Sequence, residues 1–78
     1  MQVGCGVYRL TVRGREYLYF WHYETKGRSR VQVKEYVGPA TAARSFVDAA
    51  RRCERYYQRA AGELQRLRTA SLAAIRGN

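Results

Sequence analysis

Hydrophobic and polar residues follow two different periods along the chain, and the change falls at Gly38-Pro39. Before it the residues alternate with a period of two, which is typical of strands. After it, apolar and small residues recur every three or four positions, which is typical of a helix. The pattern predicts strands over residues 7–13, 17–24 and 28–37 and a helix over residues 40–76. The predicted fold is α+β, a three-stranded antiparallel β-meander packed on a long C-terminal helix, in one domain over residues 1–78.

The predicted helix is longer than the sheet can cover. About 35 residues would form a rod of roughly 50 Å, whereas an eight-residue strand spans about 27 Å. Thr41 is expected to be the N-cap. Either the helix breaks near Gly62 and folds back, or its second half packs on another chain. We expect a homodimer, with an interface formed by Leu64, Leu67, Leu72 and Ile75.

The alternation sorts the strand residues onto two faces of different chemistry. The expected core face, covered by Phe46, Val47, Ala50 and Tyr57 of the helix, collects Tyr8, Leu10, Val12, Leu18, Phe20, His22, Val31, Val33 and Val37. The opposite face combines aromatic rings on the central strand with basic and polar side chains on both neighbours. It collects Arg9, Thr11, Arg13, Tyr17, Tyr19, Trp21, Tyr23, Arg28, Arg30, Gln32, Lys34 and Tyr36.

The net charge of the chain indicates which kind of partner this second face could bind. Fifteen Lys and Arg against six Asp and Glu leave a net charge of +9, which favours a polyanionic partner. Cations neutralise phosphates and aromatic rings stack on bases. The sequence therefore predicts binding of double-stranded DNA or RNA with little sequence specificity, in the cytoplasm or on the nucleoid. The expected contacts are Arg9, Arg13, Tyr17, Tyr19, Trp21, Tyr23, Arg28, Arg30, Gln32, Lys34 and Tyr36.

Two other interpretations of the same face stay open. The cations could lie over the rings and shield them from water. Alternatively, the face and the C-terminal helix could serve protein–protein contact in an assembly module. Small-molecule chemistry is not expected: His22 is the single histidine and no glycine-rich phosphate loop is present, so we predict no enzyme, no metal site and no cofactor.

Three smaller features complete the expectations. No segment has the length and composition of a membrane span or of a signal peptide, so an intracellular protein is expected. Cys5 and Cys53 are then expected to be free thiols, with an intramolecular bridge as the alternative. Glu35 has the parity of the core face and is expected to form a salt bridge with a helix arginine.

The stretch GREYLYFWHYETKGRSRVQVKEYVGP resembles a hairpin of small basic archaeal proteins and of transposase- or integrase-associated modules. In these, an aromatic strand and a basic strand ending in Tyr-x-Gly-Pro, here residues 36–39, precede a helix. The architecture over residues 7–55 is also similar to the arm-binding domains of tyrosine recombinases and to the plant GCC-box-binding domain. The resemblance implies that the sheet binds a duplex, with Arg9, Arg13, Arg28, Arg30 and Lys34 in the contacting positions.

Overall fold

Three antiparallel strands and one long helix form the protein in the computed structural model, which describes residues 4–77. The elements are β1 (Cys5–Val12), β2 (Arg15–Lys26), β3 (Ser29–Pro39) and α1 (Ala43–Ile75). The strands lie in the sheet in their chain order, so β2 is central. The predicted α+β meander is confirmed.

The turn between β1 and β2 decides which of their residues share a face. Arg13 and Gly14 both have positive φ, 53° and 78°, and form a two-residue hairpin turn that places Val12 opposite Arg15. Residues directly opposite each other in an antiparallel pair lie on the same face. The even-numbered residues of β1 therefore share a face with the odd-numbered residues of β2.

This register corrects the predicted core. Tyr8 lies opposite Tyr19, and Leu10 lies opposite Tyr17, so both residues are on the face away from the helix. Val12 shares that face, and the prediction that these three residues of β1 belong to the core is wrong. The predicted strands left three residues, 14–16, between them, and such a loop pairs residues of the same parity. A turn shorter by one residue exchanges the two faces of the strand.

The end of β3 departs from the prediction at a β-bulge. Tyr36 lies opposite Tyr19 and Gly38 opposite Leu18, which leaves Val37 as the extra residue. Gly38-Pro39 was expected to stop the sheet, but both residues belong to the strand. Gly38 is also a contact point for the helix, because a Cβ at this position would be 2.5 Å from the Ser45 Oγ.

The core lies between β2 and the first half of α1. Its buried residues are Leu18, Phe20 and His22 of the sheet and Ser45, Ala49 and Tyr56 of the helix. Val31 and Val33 are half-buried on the same side of the sheet, as predicted. The expected helix face is wrong by one position, since Phe46, Val47, Ala50 and Tyr57 are exposed. Small side chains at Ser45 and Ala49 let the helix approach the sheet closely, and the larger residues lie beside the contact.

The helix is continuous through Gly62, which excludes the alternative of a break at this residue. It begins after Ala42, whose side chain makes no capping hydrogen bond, and the expected cap at Thr41 is one residue too early. Within the described residues 57–75 none is buried, and the second half of α1 extends the molecule to 60 Å in its longest dimension. No helix in residues 4–77 has both the length and the apolar composition needed to cross a membrane.

Candidate nucleic-acid interface

Six aromatic side chains lie together on the face of the sheet that the helix leaves open. We call this surface the aromatic face. The central strand contributes four of the rings and each neighbouring strand contributes one, which gives Tyr8, Tyr17, Tyr19, Trp21, Tyr23 and Tyr36. β-strand residues two apart point to the same side, so the alternation of β2 places its rings in one row.

The rings contact one another directly. Tyr8 stacks on Tyr19 with 5.2 Å between the ring centroids, and Tyr36 meets Tyr19 edge to face at 5.6 Å. Tyr17 lies 6.0 Å from Tyr36, and Trp21 meets Tyr23 edge to face at 5.6 Å. These distances lie within the range of favourable aromatic pairs. Mutual packing holds the rings in place without a covering element, so the surface is preorganised.

Two glycines, Gly6 of β1 and Gly4 just before this strand, form the support under one end of this surface. A Cβ at Gly6 would be 2.9 Å from three atoms of the Trp21 indole. The Tyr23 ring lies 3.6 Å from the corresponding point at Gly4. The indole therefore lies flat over the β1 backbone, which only glycine allows at this distance. The sequence pattern Gly4-Cys5-Gly6 is explained by this packing.

The predicted basic residues of β1 lie elsewhere. Arg9 and Thr11 are on the helix side, opposite Leu18 and Glu16. The Arg9 Nη1 is 3.6 Å from the Glu16 Oε2, and its guanidinium carbon is 5.6 Å from the centre of the Phe46 ring. The β1 register is the reason, and the prediction that Arg9 lies among the rings is wrong.

Turn geometry removes two more arginines from the strands. Arg13, with positive φ, lies in the β1–β2 turn, and Arg28 lies in the turn between β2 and β3. Both were predicted to occupy strand positions on the aromatic face, and neither of them does. They are exposed at opposite ends of β2, beyond the row of rings.

The basic and polar residues of β3 are where they were expected. Gln32 and Lys34 lie opposite Tyr23 and Trp21, and Arg30 lies opposite Thr25. The Lys34 Nζ is 5.7 Å from the centre of the Tyr8 ring, which is a cation–π distance.

One cation was missed. Arg15 lies opposite Val12, so it shares the face of the rings. Its odd number, the parity of Tyr17, is the signal that could have found it. The strand positions of the aromatic face thus present three cations, Arg15, Arg30 and Lys34.

All six carboxylates of the chain lie away from the aromatic face. Three are on β2 and β3 with the parity of the helix side, and three are on the helix: Glu16, Glu24, Glu35, Asp48, Glu54 and Glu63. Because acidic and basic residues are segregated in this way, the potential over the rings is positive.

Several of these carboxylates have partners on the helix side. The buried His22 has its Nε2 3.1 Å from the Glu35 Oε1 and its Nδ1 3.6 Å from the Glu24 Oε1. The Glu35 Oε2 is 4.0 Å from the Arg52 Nη1, which confirms the expected salt bridge with a helix arginine. Arg52 also pairs with Asp48 at 3.1 Å. This cluster links the sheet edge to the helix and does not extend to the aromatic face.

Cation–π contacts are found on both faces of the sheet. Lys34 lies over Tyr8 on the aromatic face, and Arg9 pairs with Phe46 on the helix side. Tyr36 is 52% exposed and the other five rings are half-buried, so each ring presents part of its surface to solvent.

Comparison with protein-family models, with curated proteins and with solved structures finds no match to this chain. The resemblance to archaeal and recombinase-associated modules stays a prediction.

Proposed function

We propose that the protein binds nucleic acid through the aromatic face. The observation that supports this most is the combination of six exposed or half-buried rings, three cations and no carboxylate on one open surface. Rings supply stacking energy, and the cations attract phosphates. The chain contributes no competing negative charge where a phosphate backbone would lie.

The geometry favours unpaired bases. Stacking on a protein ring requires an accessible base face, and a duplex exposes only base edges in its grooves. The corrected register strengthens this preference. On the aromatic face β1 was expected to present Arg9 and Arg13, and it presents Tyr8, Leu10 and Val12. The surface therefore has fewer cations for phosphates and more apolar area than expected. The duplex expected from the sequence is the competing outcome of the experiment below.

The test is a binding panel in one buffer. Fluorescence anisotropy would compare single-stranded DNA, single-stranded RNA and the corresponding duplexes, each at several salt concentrations. We expect the single strands to bind more tightly and to quench the fluorescence of Trp21, the only tryptophan. If Arg15, Arg30 and Lys34 each displace one counterion, log K should fall with log salt at a slope of about −2 for single strands.

Three outcomes would contradict the proposal or refine it. No binding of any nucleic acid at low salt would exclude the function. Binding that leaves Trp21 fluorescence unchanged would place the site elsewhere, for example on the helix arginines. Tighter binding of duplexes with a steeper salt slope would support the function and exclude the preference for unpaired bases.

The helix supports a second element of the proposal, the homodimer. Leu64 and Leu67 are 59% and 54% exposed, and Ile75 is 81% exposed. Because the helix does not fold back at Gly62, no part of the described chain covers these side chains. Burying each large apolar side chain would contribute about 1.5–3 kcal/mol. With the half-buried Leu72 they form the proposed dimer interface, and two aromatic faces on one dimer would raise affinity for a long strand.

The double substitution Leu64→Glu/Leu67→Glu is expected to convert a dimer into a 9 kDa monomer, because it introduces charges into the apolar contact. The control is Thr69→Glu/Ala73→Glu, which adds the same charge change on the side of the helix away from the leucines and should leave the dimer intact. Sedimentation equilibrium at micromolar concentration measures both. A wild-type mass of one chain, or a dimer that survives the first pair of substitutions, would contradict the proposed interface.

A further inference from the structure

The fold brings the two cysteines of the chain together, although they are 48 residues apart. The Cys5 Sγ and the Cys53 Sγ are 2.7 Å apart, and both residues are half-buried. Cys5 begins β1 on the helix side, opposite His22, and Cys53 lies on the part of α1 that packs on the sheet. The sulfurs are close to the separation of about 2.05 Å in a disulfide.

Neighbouring hydrogen bonds hold this juxtaposition. The Tyr56 hydroxyl accepts a hydrogen bond from the Gly4 N–H at 3.1 Å and donates one to the Tyr23 carbonyl oxygen at 3.2 Å. One helix side chain thus fixes the residue before Cys5 and the central strand beside it. Tyr56 is three residues after Cys53, so it lies on the same side of the helix. The backbone segments that carry the two thiols cannot separate without breaking these bonds.

We propose that Cys5 and Cys53 are a disulfide-forming pair that is oxidised by a small-molecule disulfide of the glutathione class. One cysteine thiolate attacks a sulfur of the oxidant, forms a mixed disulfide and releases one small thiolate. The second cysteine thiolate then attacks the cysteine sulfur of the mixed disulfide and displaces the second small thiolate. The two cysteines lose two electrons and two protons, and the oxidant gains both as two thiols. This inference does not depend on nucleic-acid binding.

The bridge would stabilise the fold and the support of the aromatic face. It would close a loop of 48 residues, which restricts the unfolded chain far more than a short loop does. It would also fasten to the helix the strand segment whose glycines lie under Trp21 and Tyr23. β1 is an edge strand, so it pairs with one neighbour only. A covalent bond from β1 to the helix would therefore add a restraint that a small core lacks.

Oxidation of the pair should become faster as the pH rises. Burial, and after it the hydrogen bond with Cys53, raise the pKa of the Cys5 thiol from 9.0 to about 11. The other titratable groups that face Cys5 are Tyr57 of the helix and His22 of β2. Each cysteine must act as a thiolate once in the two steps, so the step in which Cys5 attacks should be slow at neutral pH. The rate should increase through the range up to its pKa.

The experiment treats the full chain with oxidised glutathione and compares it with the chain kept in a reductant. We expect a mass lower by two hydrogens, no thiol that reacts with a maleimide, and a single-chain band on a non-reducing gel. The melting temperature of the oxidised form should be higher by about 15 °C or more. The double variant Cys5→Ser/Cys53→Ser should melt at the same temperature under both conditions.

Other products would overturn the proposal. Two reactive thiols after treatment at pH 9, a stable glutathione adduct, or a bridge between two chains would each exclude the intramolecular pair. A bridge that leaves the melting temperature unchanged would exclude the stabilising role. If the serine variant does not fold, circular dichroism will show it, and the comparison of the oxidised and reduced wild-type chain still decides the outcome.

Discussion

Leu18→Ala is expected to lower the free energy of unfolding by about 2–5 kcal/mol. Leu18 is fully buried, with 0% of its surface exposed, and lies on β2 at the point where Gly38 and the start of the helix meet the sheet. Removal of its side chain leaves a cavity between the two layers. Because a domain of 78 residues is stable by only about 5 kcal/mol, the variant should retain about 0–3 kcal/mol, and at the lower end half of it is unfolded at 25 °C. Urea denaturation followed by circular dichroism measures the change.

Leu10→Ala is the matched control, with the same chemical change on the adjacent strand. Leu10 is 45% exposed and lies on the aromatic face, opposite Tyr17. Its removal creates no closed cavity, so the free energy of unfolding should fall by less than about 1 kcal/mol. The pair tests the corrected register, since the sequence placed both leucines in one core. A larger effect at Leu10 than at Leu18 would show that the faces of the sheet are assigned incorrectly.

The sequence was sufficient to predict β2 and most of β3. Four aromatic residues at odd positions of β2 alternate with Leu18, Phe20 and His22, so one face is apolar and the other amphipathic whatever the register. β1 carries a weaker signal, because both of its parities contain apolar residues. Its face depends on the length of one turn. The turn is two residues long because Arg13, like Gly14, has a positive φ. A positive φ is uncommon for a residue other than glycine, so the sequence does not predict it at Arg13.

The helix was predicted in type and length, but its packed side was not. Two stripes of apolar and small residues lie one position apart, one through Ser45, Ala49 and Tyr56 and one through Phe46, Ala50 and Tyr57. The second stripe is the more hydrophobic, but the first stripe is the one that packs on the sheet. The reason is tertiary, because Gly38 at the bulge leaves space that a small Ser45 fills. Steric fit between distant segments is not visible in the periodicity of either one.

The same limit applies to the candidate site. Its rings on β2 and β3 and the cations of β3 could be predicted, because they depend on alternation within single strands. Arg15 was missed although its parity within β2 indicates its face. The loss of Arg9 and the gain of Tyr8 depend on pairing between strands. So does the packing of Trp21 on Gly6, which joins residues of two strands through a contact that no local pattern specifies. The corrected surface is richer in rings and poorer in cations than expected, and this difference is the reason why we propose single strands as the ligand in place of the duplex expected from the sequence.

Replacement of two central rings gives the largest expected loss of binding. Tyr19→Ala/Trp21→Ala removes the ring that contacts both Tyr8 and Tyr36 and the indole over Gly6. Each lost base stack should cost about 1–3 kcal/mol, so the affinity for single-stranded DNA should fall by about 30-fold or more. The charges are unchanged, and the slope of log K against log salt should therefore stay the same. Fluorescence anisotropy at three salt concentrations measures both quantities.

Phe46→Ala is the control for this loss, since it removes a partly exposed ring from the helix side of the sheet. It should leave the affinity unchanged. The conservative pair Tyr19→Phe/Trp21→Phe keeps two rings and should recover most of the binding. Tyr19 and Trp21 are only half-buried, so circular dichroism should show that the double alanine variant is folded. A folded Tyr19→Ala/Trp21→Ala protein that binds as tightly as the wild type would exclude stacking on the aromatic face. A lower salt slope would show instead that the rings act by positioning Lys34, whose Nζ lies over the neighbouring Tyr8 ring.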